Sequence, residues 1–187
     1  MSINMTLTDF IIYLFTLFVL YFLTRKSRKG DLEWAHQEAK RAVQTPTPRR
    51  LIEEKLGYPL EKHVYTTKDG YINTVYRIPG PKVAGKKPVI IYQHGLIDCS
   101  NSIICAEEDS LGLRLVNAGY DLWMNNSRGN RYSKEHMHID VEYATKEQRD
   151  KYFEFSFQEL AEFDQPALWE YVMNVTGAEK ITYVGHS

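Results

Sequence analysis

Residues Phe10 to Thr24 read FIIYLFTLFVLYFLT, fifteen positions without a charge. As a helix rising ~1.5 Å per residue this run spans roughly 22 Å, short of a bilayer core of about 30 Å. Met5–Thr8 and the stems of Arg25 and Lys26 extend it toward spanning length, with Asp9 near one interface. Beyond it the pattern breaks into short elements. Asp31–Val43 predicts a helix, and Thr45-Pro46-Thr47-Pro48 a linker. Arg49–Leu56 predicts a second helix, stopped by Gly57 and Pro59. His63–Thr67 and Tyr71–Ile78 flank Lys68-Asp69-Gly70, a hairpin signal. Pro88–Tyr92 is an apolar β-branched run, as in a strand covered on both faces.

Ser110–Ala118 then predicts a helix closed by Gly119, followed by a strand at Tyr120–Met124. Phe155–Val175 is the longest helical stretch. Pro166 divides it, with Asp164 as the expected cap of the second half, and Gly177 ends it. Ile181–Val184 predicts a third buried strand. After the hairpin the order is strand, helix, strand, helix, strand. That alternation predicts an α/β fold: a hairpin followed by a parallel βαβαβ sheet with right-handed crossovers. Active groups in such sheets lie past the carboxyl ends of the strands. Three turns hold that position: His94-Gly95-Leu96, Asn126–Asn130 and Gly185-His186-Ser187.

Composition changes the picture at one point. The 187 residues carry a net charge of -1, but residues 1–50 alone carry +4. Near-neutrality gives no reason to expect nucleic acid as a partner. Two cysteines, Cys99 and Cys105, cannot build a disulfide framework. The positive excess includes Arg25-Lys26-Ser27-Arg28-Lys29, directly after the apolar run. A secretory signal peptide wants basic residues before its apolar core and small residues at a cleavage site, and neither is present. An uncleaved anchor is the favoured reading, ahead of a signal peptide and a buried helix. The basic cluster places the body on the cytosolic side by the positive-inside rule, with a secretory or lysosomal location as the alternative. The expected organisation is an anchor at 1–24, a tether at 25–48 and a partial α/β domain at 49–187.

The turns supply the chemistry. Gly185-His186-Ser187 forms the first three positions of Gly-x-Ser-x-Gly, a strand-to-helix turn that lifts a serine hydroxyl clear of the sheet. His94-Gly95-Leu96 occupies the place where such enzymes put half of an oxyanion hole, with the Leu96 N–H as donor. His94 is read as orienting this loop through hydrogen bonds, not as a catalytic base.

Read together, these residues resemble the acid lipase family of the α/β-hydrolases. The matching pieces are Gly57-Tyr58-Pro59, Thr66–Ile72, Arg77-Ile78-Pro79, Gln93–Leu96, Ala118–Trp123, Asn126–Asn130, Phe155-Ser156-Phe157, Phe163-Asp164, Pro166-Ala167 and Tyr183–Ser187. The resemblance implies Ser187 as nucleophile, Leu96 as oxyanion donor, and His94, Gly95, Gly185 and His186 as the supporting turns. It implies triacylglycerol or steryl ester substrates, a membrane or lipid-droplet surface as working place, and no cofactor. Since the hydrolase order is Ser, acid, His, both triad partners are expected beyond residue 187, which makes these residues an inactive N-terminal part. Two rivals stand beside this reading: a non-catalytic membrane protein that binds lipid or a partner, and a hydrolase of non-lipid esters.

The remaining candidates read mostly as structure. His136-x-His138 has the look of a metal pair but lacks a ligand cluster, and suits a polar loop. Cys99 and Cys105 read as packing thiols. Asn4, Asn125 and Asn174 stand in glycosylation patterns. Arg128 suits a loop-fixing ion pair better than a substrate contact. Phe153, Phe155 and Phe157 read as core.

Overall fold

A computed structural model describes residues 47–81 and 87–187. The expected anchor at 1–24, the tether up to residue 46 and Asn4 lie outside the described residues. Among the described residues no helix is long and apolar enough to cross a membrane.

One mixed sheet organises the described chain. Strands β1 (Glu61–Thr66) and β2 (Tyr71–Ile78) form the hairpin around Asp69-Gly70, where Gly70 has φ +97°. β3 (Val89–Gln93), β4 (Asp121–Asn125), β5 (Glu135–His136) and β6 (Ile181–Gly185) complete it. The order is β1-β2-β4-β3-β6, with β5 paired to β2. β4, β3 and β6 run parallel, as expected. The hairpin joins the same sheet, because β2 lies antiparallel against β4. The two-residue β5 carries no periodicity and escapes sequence reading.

The parity of the strands builds the two faces. Ile90 and Tyr92 of β3, with Leu122 and Met124 of β4, point to one side. There they meet Leu113 and Val116 of helix α1 (Leu111–Asn117). Val89, Ile91 and Trp123 point to the other side, against Leu168 and Val172 of helix α3 (Gln165–Thr176). All five residues of β4 are buried, as a strand between two helical layers must be. Ser110 caps α1 by accepting the Leu113 N–H. A separate helix α2 (Lys146–Tyr152) starts on a Thr145–Gln148 capping box.

Two expectations need correction here. β6 is not a buried strand: Tyr183 is 41% exposed and Thr182 is open to solvent. Its β-branched composition fits a covered strand, but among the described residues it pairs only with β3. Nor is Asp164 a helix cap. The chain stays helical from Phe157–Glu159 through Leu160–Asp164 into α3, and Asp164 makes no capping bond. Pro166 lacks an N–H and its ring crowds the preceding turn, so the helix widens there, with the Gln165 N–H reaching back to the Leu160 carbonyl. Gly177, with φ +64°, then closes α3 as predicted.

Candidate active site

The three predicted turns meet at the carboxyl ends of β3, β4 and β6. The β3–β6 ladder runs to the Gln93–Gly185 pair. It gains one further bond, from the His186 N–H to the Gln93 carbonyl at 3.0 Å. The next residue, Ser187, takes φ +62°, a left-handed conformation uncommon outside glycine. Gly95 packs against it: a β-carbon on Gly95 would stand 3.3 Å from Ser187 Cβ and 3.4 Å from the His186 carbonyl oxygen.

His94 is 4% exposed, and its partners define its tautomer. Nδ1 lies 2.6 Å from the Gly95 carbonyl, which can only accept, so Nδ1 carries the proton. Nε2 then accepts from the Ser127 N–H at 3.1 Å and from Asn130 Nδ2 at 3.2 Å. Burial holds its pKa below the usual histidine value, against the opposing pull of the Gly95 carbonyl and Asp98. With both nitrogens committed, this imidazole is no free base.

The Gly95 carbonyl also accepts the Asp98 N–H at 3.1 Å. In a trans peptide C=O and N–H point opposite ways, so pinning this carbonyl turns the Leu96 N–H away from the His94 ring. No hydrogen bond among the described residues uses that N–H. The Leu96 side chain is exposed, as is Ile97. On the elbow, His186 is exposed and, with Gly185, Val184, Tyr92, Leu111 and Cys105, lines a largely apolar cavity of about 310 Å³. A larger concavity of about 880 Å³ runs along Lys134–Glu142 and holds no residue of the three turns.

Below the turns lies a buried charge cluster that sequence reading saw only in part. Arg128 sits between Asp164, reached by Nε at 2.9 Å and Nη2 at 2.7 Å, and Asp69, reached by Nη2 at 2.9 Å. The Arg128 N–H adds a bond to Asp164 Oδ2 at 3.1 Å. Its guanidinium stacks 3.9 Å from the centre of the Tyr71 ring. Burial alone lowers the Arg128 pKa, but the two carboxylates outweigh it and hold it above the ordinary arginine value. Burial likewise pushes Asp69 up, yet hydrogen bonds from Arg128 and Thr67 keep it below the usual carboxylate range. Arg128 is therefore the loop-fixing ion pair expected, and no exposed face remains on it for a substrate.

Other candidates settle as follows. His136 Nε2 meets the Asp69 carbonyl at 3.2 Å, its Nδ1 accepts the His138 N–H at 3.1 Å, and its ring stands edge-on to Tyr71. Among the described residues no group of three or more His, Cys, Asp or Glu could hold a metal ion. The aromatic trio is not core: Phe153 and Phe157 are exposed, and only Phe155 is half-buried, against Gly129. Cys99 is a half-buried free thiol, but Cys105 is exposed and packs nothing away. Asn125 is fully buried, so its side chain is sealed inside the fold; Asn174 is exposed.

Residues 51–107 match the model of the partial alpha/beta-hydrolase lipase region, and residues 88–187 that of the alpha/beta hydrolase fold. Human lipase member M is 43% identical over 136 residues, 70% of this chain and 31% of that protein. Gastric triacylglycerol lipase of Bos taurus is 42% identical over 70% of this chain and 33% of that protein. Human lysosomal acid lipase/cholesteryl ester hydrolase is 41% identical, with the same two shares of 70% and 33%. The chain thus spans about a third of the length of these relatives. It belongs to the α/β-hydrolase fold family and carries that family's partial lipase region.

Proposed function

We propose that this chain supplies the nucleophile and half of the oxyanion hole of a serine hydrolase of lipid esters. The observation that carries the reading is Ser187 held left-handed at the end of β6 and packed against Gly95. Ser187 Oγ attacks the ester carbonyl, the alcohol leaves, and an acyl-enzyme remains for water to cleave. The Leu96 N–H stabilises the negative oxygen of each tetrahedral intermediate. A serine is a weak nucleophile without a base, and His94 is fully engaged in its loop. The general base is therefore not His94, and the hydrolase order of Ser, acid and His places the base and its carboxylate after the nucleophile, so residues 1–187 alone are inactive in this reading.

The relatives' names support triacylglycerols or cholesteryl esters as the substrate class, and a secretory or lysosomal setting over a cytosolic one. The apolar run Phe10–Thr24 supports attachment of the 1–24 segment to a membrane, through a tether at 25–48. Lipid surfaces present such water-insoluble esters.

A fluorophosphonate probe tests the nucleophile. The full-length protein labels at Ser187, and Ser187→Ala abolishes labelling; labelling elsewhere, or none, overturns the assignment. Triolein, cholesteryl oleate and p-nitrophenyl butyrate test the class. A preference for the water-soluble butyrate would remove the lipase reading while leaving the esterase chemistry.

A further inference from the structure

We propose that Gln93 is a positioning residue that fixes the oxyanion turn against the nucleophile elbow; its catalytic consequence rests on the ester-hydrolase reading above. Gln93 is the last residue of β3 and touches all three turns. Its main-chain carbonyl takes the His186 N–H of the elbow. Its side-chain Oε1 accepts from Asn125 Nδ2 at 2.7 Å and Gln165 Nε2 at 2.9 Å. Its Nε2 donates to the His94 carbonyl at 3.0 Å and to Ser127 Oγ at 2.9 Å. A primary amide offers two hydrogens and two lone pairs, so its whole capacity is used.

The amide orientation is forced by its neighbours. The Tyr65 hydroxyl donates into Asn125 Oδ1 at 2.8 Å, which leaves Asn125 Nδ2 as the donor toward Gln93. Oε1 must face it, and Nε2 must face the His94 carbonyl. Two successive peptide planes are then locked: the His94 carbonyl by Gln93, and the Gly95 carbonyl by the His94 ring and the Asp98 N–H. The direction of the Leu96 N–H follows from both, while the same residue's backbone holds the elbow. Gln165 and Asn125 brace the amide from α3 and β4, so the side chain fixes the His94 turn while the Gln93 backbone ties that turn to the elbow.

The charge-neutral amide is what makes this work. A glutamate at 93 keeps the acceptors for Asn125 and Gln165 but turns an oxygen toward the His94 carbonyl. A methionine fills a similar volume and makes none of the four bonds.

The test compares wild type, Gln93→Glu and Gln93→Met in the full-length protein, using fluorophosphonate labelling, p-nitrophenyl butyrate turnover and backbone amide NMR. Gln93→Glu should lower kcat and the Ser187 labelling rate about 10- to 100-fold, the loss expected from a displaced oxyanion donor, with KM within about threefold. The Leu96 and His186 amide signals of the folded protein should shift, and the melting temperature should fall because an oxygen then opposes the His94 carbonyl. Gln93→Met should do the same. Unchanged kcat and unmoved signals in both variants overturn the proposal, as does a kcat loss that only tracks the unfolded fraction. If wild type itself neither labels nor turns over, the hydrolase reading fails. The amide signals then decide the positioning role by themselves, shifted supporting it and unmoved overturning it.

Discussion

Gly95 and Ser187 lie so close that a β-carbon on the first would stand 3.3 Å from that of the second. Gly95 has no left-handed backbone to excuse its small size. Its lack of a side chain matters because the His94–Leu96 and Gly185–Ser187 turns need the same space. Gly95→Ala should therefore fold with a melting temperature near that of wild type and lose about 10- to 100-fold in kcat, since displacing the elbow by a fraction of an ångström spoils attack geometry. Thermal melts beside ester turnover check this; full activity in the alanine variant would contradict it.

Arg128 is 1% exposed, and so is sealed between Asp164 at 0% and Asp69 at 27% side-chain exposure. Removing one member of a buried pair strands the other, at a cost of about 3–5 kcal/mol. Arg128→Met should show that loss in urea unfolding. Arg128→Lys should fall between, since an ammonium cannot fork across two carboxylates. Adding Asp164→Asn to Arg128→Met should recover part of the stability, a coupling that a double-mutant cycle reads directly. A methionine variant within about 1 kcal/mol of wild type would show that the cluster is dispensable.

His94 and Asp69 are two of the groups through which acid should act on the fold. Unfolded, His94 titrates near about 6.5. Folded, burial holds it lower, so between these values the unfolded chain binds more protons. Its contribution is whole above about pH 6.5 and shrinks as pH falls through the folded value. Asp69 acts in the same sense further down. Despite burial, Arg128 and Thr67 depress it. Its contribution is present above about pH 3.9 and is lost as pH falls through its depressed folded value. His94→Gln should flatten the upper slope of a stability–pH curve and leave the lower one. An unaltered upper slope would mean that His94 is not its source.

β6 offers an edge that pairs with β3 alone among the described residues. Open edges with apolar side chains template association. Purified as these 187 residues, the chain should express poorly and self-associate with rising concentration in sedimentation. Thr182→Lys, on an exposed position of that edge, should reduce it. A cooperative monomer at high concentration would contradict this.

The elements were legible where pattern and context agree. β3 and β4 carry apolar runs, Val89–Tyr92 and Leu122–Met124, and both strands are covered on two faces. β6 has the same composition without the same cover, because burial depends on the next strand and not on the segment itself. Asp164 beside Pro166 reads as a cap by local rules. Yet its carboxylate is claimed by Arg128, 36 positions earlier, and no local rule can see that partner. That the His94–Leu96 and Gly185–Ser187 turns meet was legible, because both directly follow parallel strands. The side-chain role of Gln93 was not, since it depends on partners in its own turn, at the end of β4 and in α3. Its one visible signal was a polar residue closing an otherwise apolar strand.

The Asp69–Arg128–Asp164 cluster also constrains the path by which the molecule forms. Arg128 joins a hairpin turn 59 residues before it and a helix 36 residues after it. Contacts so distant in sequence close large loops and form slowly, after the local hairpin and helices. Completion of the cluster is therefore a late step, and the floor beneath the site sets only when the three segments have already found one another.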